Sequence, residues 1–105
     1  MSNAIYDRYN KELLKKSVDC IEYMKYRDPE NIISVVENGE ETCVRYRGLR
    51  DFKIYHDHGY DHSGKDPHPY KDIMGILYVI YRMSFKDACE ELTEYLKKKD
   101  HMMIR

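Results

Sequence analysis

Asn38-Gly39 stands between two short runs of mostly β-branched and apolar residues, Ile32 to Glu37 and Thr42 to Arg47. Among short sequences this dipeptide is the strongest signal for a two-residue hairpin. A type I′ turn needs positive φ at both central positions, and asparagine and glycine reach that region at little cost. The two runs are therefore expected to pair antiparallel. Strand alternation then sorts the returning run: Val44 and Tyr46 share one face, and Cys43, Arg45 and Arg47 share the other. After a turn at Gly48, Phe52 to Asp57 alternates again and reads as a third strand. There Phe52, Ile54 and His56 lie opposite Lys53, Tyr55 and Asp57. With the apolar faces turned inward together, Arg45, Arg47, Lys53 and Tyr55 form a basic outer face.

Helical spacing governs both flanks. Leu14, Val18, Ile21 and Met24 fall on one face of a helix predicted over residues 5–27, which Asp28-Pro29 ends. Alternatively, Ser17 caps a shorter second helix after a break near residue 16. Residues 58–70 contain two glycines, two prolines and three histidines and read as a loop. Residues 71–99 read as two helices. In the first, Ile73, Leu77, Ile80 and Tyr81 are expected to be buried, with Gly75 allowing close packing. Ser84 caps the second, with Asp87 three residues on. Its buried stripe is predicted as Phe85, Ala88, Cys89, Leu92 and Leu96, and Lys97, Lys98 and Lys99 suit its C-terminal end. The expected fold class is α+β. A small three-stranded antiparallel sheet packs with an N-terminal helix and two C-terminal helices in a single domain spanning 1–105.

Length and composition exclude several classes. A chain of 105 residues is too short for a barrel or a doubly wound enzyme. The longest apolar run, Ile73 to Tyr81, has nine residues, against the roughly eighteen of a membrane span. Ser2-Asn3-Ala4 reads as the remnant of a cleaved purification tag, and no signal peptide is evident. Cys20, Cys43 and Cys89 are odd in number and contain no C-x-x-C spacing, which suits a reducing cytoplasm. The net charge of −1 hides a pattern. Residues 28–44 carry five acidic groups and no lysine or arginine, whereas residues 45–71 carry six basic and four acidic groups and four of the five histidines.

Two segments carry candidate chemistry. His56, His58 and His62 have the residue type that suits zinc, nickel or copper, if strand and loop bring them together. The alternative is a polar loop whose histidines pair with Asp57, Asp61 and Asp66, with no cofactor. On the basic face, Arg45, Arg47, Arg50, Lys53 and Lys65 suit phosphate contacts, while Tyr55 and Tyr60 offer stacking surfaces to unpaired bases. The alternative there is an ordinary solvated sheet face. No Ser/His/Asp order or glycine-rich phosphate loop is present, and Glu90-Glu91 diverge on their helix, so no enzyme is expected.

One stretch resembles a known family. Lys71-Asp72-Ile73-Met74-Gly75-Ile76-Leu77, followed by Met83-Ser84-Phe85-Lys86-Asp87-Ala88-Cys89-Glu90-Glu91-Leu92, resembles the end of the zinc-finger domain of bacterial DNA primases. Tyr60-Asp61-His62-Ser63-Gly64-Lys65 resembles the polar stretch that replaces a cysteine pair in zinc-free versions from mobile elements. Ser17 to Met24 resembles the family's first helix, and the order of elements agrees over residues 17–96. The family's zinc ligands are not present, since Tyr46 stands three residues after Cys43 and no cysteine occurs between 44 and 88. The resemblance implies the fold and a non-catalytic, DNA-associated role in replication or transfer, with single-stranded DNA as partner. A protein-interaction module, including a homodimer formed through the Tyr-rich helix surface, is the other reading.

Overall fold

The structure, a computed structural model, describes the backbone of residues 11–66 and 68–104 and the side chains of residues 14–66 and 68–99. Along the chain lie α1 (Lys11–Ser17), α2 (Cys20–Arg27), a 3₁₀ turn (Pro29–Asn31), β1 (Ile32–Glu37), β2 (Glu40–Tyr46) and β3 (Phe52–Ile54). β4 (Gly59–Asp61), β5 (His68–Tyr70), α3 (Ile73–Tyr81) and α4 (Phe85–Ile104) follow. The fold is α+β. Its sheet has five strands rather than three, in the order β1-β2-β3-β4-β5, and every neighbouring pair is antiparallel. No helix among the described residues is long and apolar enough to cross a membrane.

The tag-like residues 2–4 and the first part of the predicted N-terminal helix, residues 5–10, lie outside the described residues. Where described, that helix is two. Asp19 has extended backbone (φ −81°, ψ 120°) and accepts a hydrogen bond from the Glu22 amide at 3.0 Å, so Asp19, not Ser17, caps the new helix. The expected apolar face survives the break: Leu14, Val18, Ile21 and Met24 are all buried. Asp28 ends α2 as expected, its amide donating to the Met24 carbonyl at 2.8 Å.

The hairpin forms where the sequence predicts it. Asn38 and Gly39 have φ of 55° and 82°. One irregularity was not anticipated. The β1–β2 register shifts between Val35 and Val36, so Thr42 is an extra residue, and its hydroxyl donates to the Val35 carbonyl at 3.3 Å. Beyond this bulge Glu41 stands opposite Val36 and accepts from Lys25 at 3.0 Å and from the Ser34 hydroxyl.

The predicted loop over 58–70 contains β4 and β5. Two features of the sequence hid them. Proline disfavours a strand, yet β5 is an edge strand, where Pro69 is tolerated. Glycine weakens a strand, yet a Cβ at Gly59 would lie 3.0 Å from Ile76 Cγ1 and 3.1 Å from Phe52 Cζ, so its absence lets α3 sit directly on the sheet. Gly75 has the same role at the other side of that contact, where a Cβ would approach Tyr70 Cβ to 3.2 Å.

Asp72 caps α3, accepting from the amides of Met74 and Gly75. Ile73 and Leu77 are buried as expected, joined by Met74 and Ile76, while Ile80 and Tyr81 are only half-buried. Ser84 caps α4 by accepting from the Asp87 amide at 3.1 Å. Ala88, Leu92 and Leu96 are buried with Thr93 and Tyr95. Cys89 is half-buried and Phe85 is 55 % exposed, because the contact of α4 with the core starts a turn later, at Ala88.

A polar network joins these elements. The Asp28 carboxylate accepts from the hydroxyls of Tyr46 (2.7 Å) and Tyr81 (2.9 Å) and from the Asn31 amide (2.9 Å). Beside it, Arg27 pairs with Glu91 of α4 and lies 4.4 Å from the Tyr81 ring centre, and Glu91 also accepts from the Tyr23 hydroxyl.

Candidate nucleic-acid interface

The register of the five strands sets one residue from each into a transverse row. Ser34, Val44, Ile54, Gly59 and Tyr70 form the row that faces the helices, with Val44 and Ile54 wholly inaccessible. The opposite face presents Ile33, Arg45, Lys53, Tyr60 and Pro69. Arg45 and Lys53 therefore lie directly across from each other on adjacent strands, and Tyr60 is the next residue beyond Lys53.

Like charges placed directly opposite in a sheet repel. Among the described residues neither Arg45 nor Lys53 has a carboxylate within ion-pairing distance, and the Arg45 Nε is buried with no hydrogen-bond partner. The lysine and arginine ion pairs among the described residues all start from helices: Lys15 pairs with Asp72 at 3.2 Å, Lys25 with Glu41 at 3.0 Å, Arg27 with Glu91 and Lys99 with Glu22 at 3.2 Å, whereas Lys16, Lys86, Lys97 and Lys98 make none. Asp61, on β4, lies across from Phe52, and Ser63 holds it: hydroxyl and amide bonds at 2.6 and 2.9 Å keep its carboxyl below the usual range.

The other predicted basic residues are dispersed. Arg47 lies just past the end of β2 and is exposed; its amide and its Nε donate to the carbonyls of Asn31 and Glu30. Arg50 is exposed in the β2–β3 turn, and Lys65 is exposed between β4 and β5. Tyr55 lies past the end of β3, half-buried, and stacks on His58 with ring centres 4.7 Å apart and planes at 9°. A matching pair, Tyr60 and His62, stacks at 4.6 Å and 18°. Sequence reasoning identified Tyr60 as a stacking surface but not its position on a strand beside Lys53. The x-Tyr-x-His alternation over residues 59–62 was the available signal.

The histidines do not converge. β3 ends at Ile54, so the alternation that would align His56 with His58 is broken. His56 Nδ1 lies 2.6 Å from Asp19, His58 Nδ1 lies 2.7 Å from Asp57, and His62 lies against Tyr60. The His58 contact also holds the Asp57 carboxyl below its ordinary value. Among the described residues no three His, Cys, Asp or Glu side chains are placed to hold a metal ion. Burial pushes the Cys20 thiol up to about 12 and raises that of Cys89, so both are poor nucleophiles at neutral pH. Compared with known protein families, characterised proteins and solved structures, the chain matches none.

Proposed function

We propose that this chain is a non-catalytic module that binds single-stranded DNA across the outer face of its sheet. On this reading it belongs to the replication or mobile-element transfer machinery of a bacterial cytoplasm, as its primase-like C-terminal stretch suggests. The observation that carries the proposal is the opposed, carboxylate-free pair Arg45 and Lys53 with Tyr60 beside it. A phosphate held by both cations relieves their repulsion, and an unpaired base gains roughly 1–3 kcal/mol by stacking on an aromatic ring such as Tyr55 or Tyr60. Arg47, Arg50 and Lys65 extend the path at the exposed turns. With a net charge of only −1, binding relies on this local arrangement and is strongly salt-dependent.

The test is fluorescence anisotropy of labelled single-stranded DNA at low salt, with and without a chelator. Binding is expected to be chelator-insensitive and to weaken steeply as salt rises. Replacing Arg45→Gln and Lys53→Gln together removes two contacts, so the slope of log affinity against log salt should fall by about 1.4. Absence of binding, or an unchanged slope in the double variant, rejects the proposal.

A second reading, a protein-interaction or homodimer module, draws support from Tyr78 on α3 and Phe85 on α4, each 55 % exposed. Phe85 also lines a groove of about 360 Å³ with Lys86, Cys89 and Glu90. Light scattering separates the two readings, since this one requires a mass that rises with concentration and falls back in Tyr78→Ala.

A further inference from the structure

The two edges of the sheet are built differently. β5 has three residues with Pro69 at its centre. Short length and proline are both ways in which natural sheets block pairing with another chain. β1 has six residues, Ile-Ile-Ser-Val-Val-Glu, without proline, lysine or arginine. Its backbone is open on the outer side. The Arg47 amide donates to the Asn31 carbonyl at 2.7 Å, which makes that a hydrogen-bonded pair. Bonded and unbonded pairs alternate in an antiparallel ladder. Ile33/Arg45 and Val35/Cys43 are then bonded, and Ser34/Val44 is not. The Ser34 N–H and C=O therefore point away from β2. Beyond the bulge, the two-residue turn makes Glu37/Glu40 the bonded pair, so Val36 points the same way. Among the described residues no loop or helix backbone bonds to Ser34 or Val36.

Side chains and charge indicate what pairs there. Val36, 59 % exposed, is an apolar side chain on the helix-facing side of this open edge, and Ile33, 38 % exposed, lies on the other face. The surrounding segment, residues 28–44, has five carboxylates and no lysine or arginine. Asp28 is engaged by Tyr46 and Tyr81, and Glu41 by Lys25 and Ser34. Glu30, Glu37 and Glu40 are exposed and have no cationic partner among the described residues. A second copy pairing about Ser34 would bring its own Glu30 and Glu37 into the same strip. We propose that β1 adds an extended segment of a partner protein in which apolar residues alternate with lysine or arginine. Its backbone pairs with Ser34 and Val36, its apolar side chains cover Val36 on the helix-facing side, and its cations, on the other face, meet Glu37 and Glu40.

The test uses isotope-labelled full chain and a synthetic peptide of alternating valine and lysine, N-methylated along one edge so that it cannot stack on itself. A valine–glutamate twin serves as control. The lysine peptide should shift the Ser34 and Val36 amides, slow hydrogen exchange at the Ser34 N–H, and bind at least about tenfold tighter than its twin. Ser34→Pro removes an outward N–H that β2 does not use, and should abolish binding. Should that variant fail to fold, Glu37→Lys with Glu40→Lys changes only exposed side chains and should reverse the preference between the peptides. Equal affinity for both peptides, no shift with either, or shifts centred on Arg45 and Lys53 would overturn the proposal. Self-association through Ser34 without peptide would also overturn it, assigning the edge to a second copy.

Discussion

Asp28 shows how much of this fold rests on one carboxylate. Donors from β2, α3 and the 3₁₀ turn converge on it, and the Tyr46 hydroxyl bond is the main reason its carboxyl sits below the usual range. A depressed pKa of this kind gives stability that is fully present above the unfolded value, about 3.9, and lost as pH falls through the folded value. Asp28→Asn should therefore cost about 1–2 kcal/mol at neutral pH and flatten the loss of stability below about pH 4. Urea denaturation across that range measures both; an unchanged acid limb would show that the network is not coupled to folding. Residue-level reading of the sequence succeeded where spacing alone decides burial, as at Leu14, Val18, Ile21 and Met24. At Phe85 it failed, because spacing assigns a helical face but not how far the core extends along it.

Element by element, legibility follows where the specifying signal lies. The β1–β2 hairpin was readable because Asn38-Gly39 determines it locally. Strands of three residues such as β4 and β5 have no local signature and exist through their pairing and through α3 lying over them. That dependence makes Gly59 a sharp probe. A methyl there meets Ile76 and Phe52 at 3.0 and 3.1 Å, whereas one at Gly64 finds its nearest neighbour, the Asp66 carbonyl, at 3.9 Å. Gly59→Ala should destabilise by about 1–3 kcal/mol and Gly64→Ala should be close to neutral. Thermal melts of the two variants check this; equal midpoints would mean that α3 gives way without cost.

Across the whole molecule, the lysine and arginine ion pairs among the described residues are all made by helical cations, and Arg45 and Lys53 on the sheet make none. Alternation revealed that these two share a face. Their direct opposition could not be read in advance, because it depends on the turn between β2 and β3, where Asp51 takes a left-handed φ of 53°. Nor could the arrival of Tyr60, which needed the unforeseen β4. The thiols report on the molecule as a unit. Cys20 is 1 % and Cys43 2 % exposed, on opposite sides of the sheet, so both should react with a thiol reagent only through global opening. Mass spectrometry during labelling should show the two modified at one common rate, with Cys89 faster; a faster Cys43 would locate a separate opening of the hairpin.

Thr42 has an effect well beyond the hairpin it interrupts. In an unbroken strand Glu41 would share a face with Cys43 and Arg45, a carboxylate on the same surface as the opposed cations. The extra residue turns Glu41 to the other side, where Lys25 and Ser34 receive it. The same shift brings Glu40, opposite Glu37, to the surface that Glu41 leaves, so a single irregularity in the backbone selects which of two adjacent carboxylates meets Lys25.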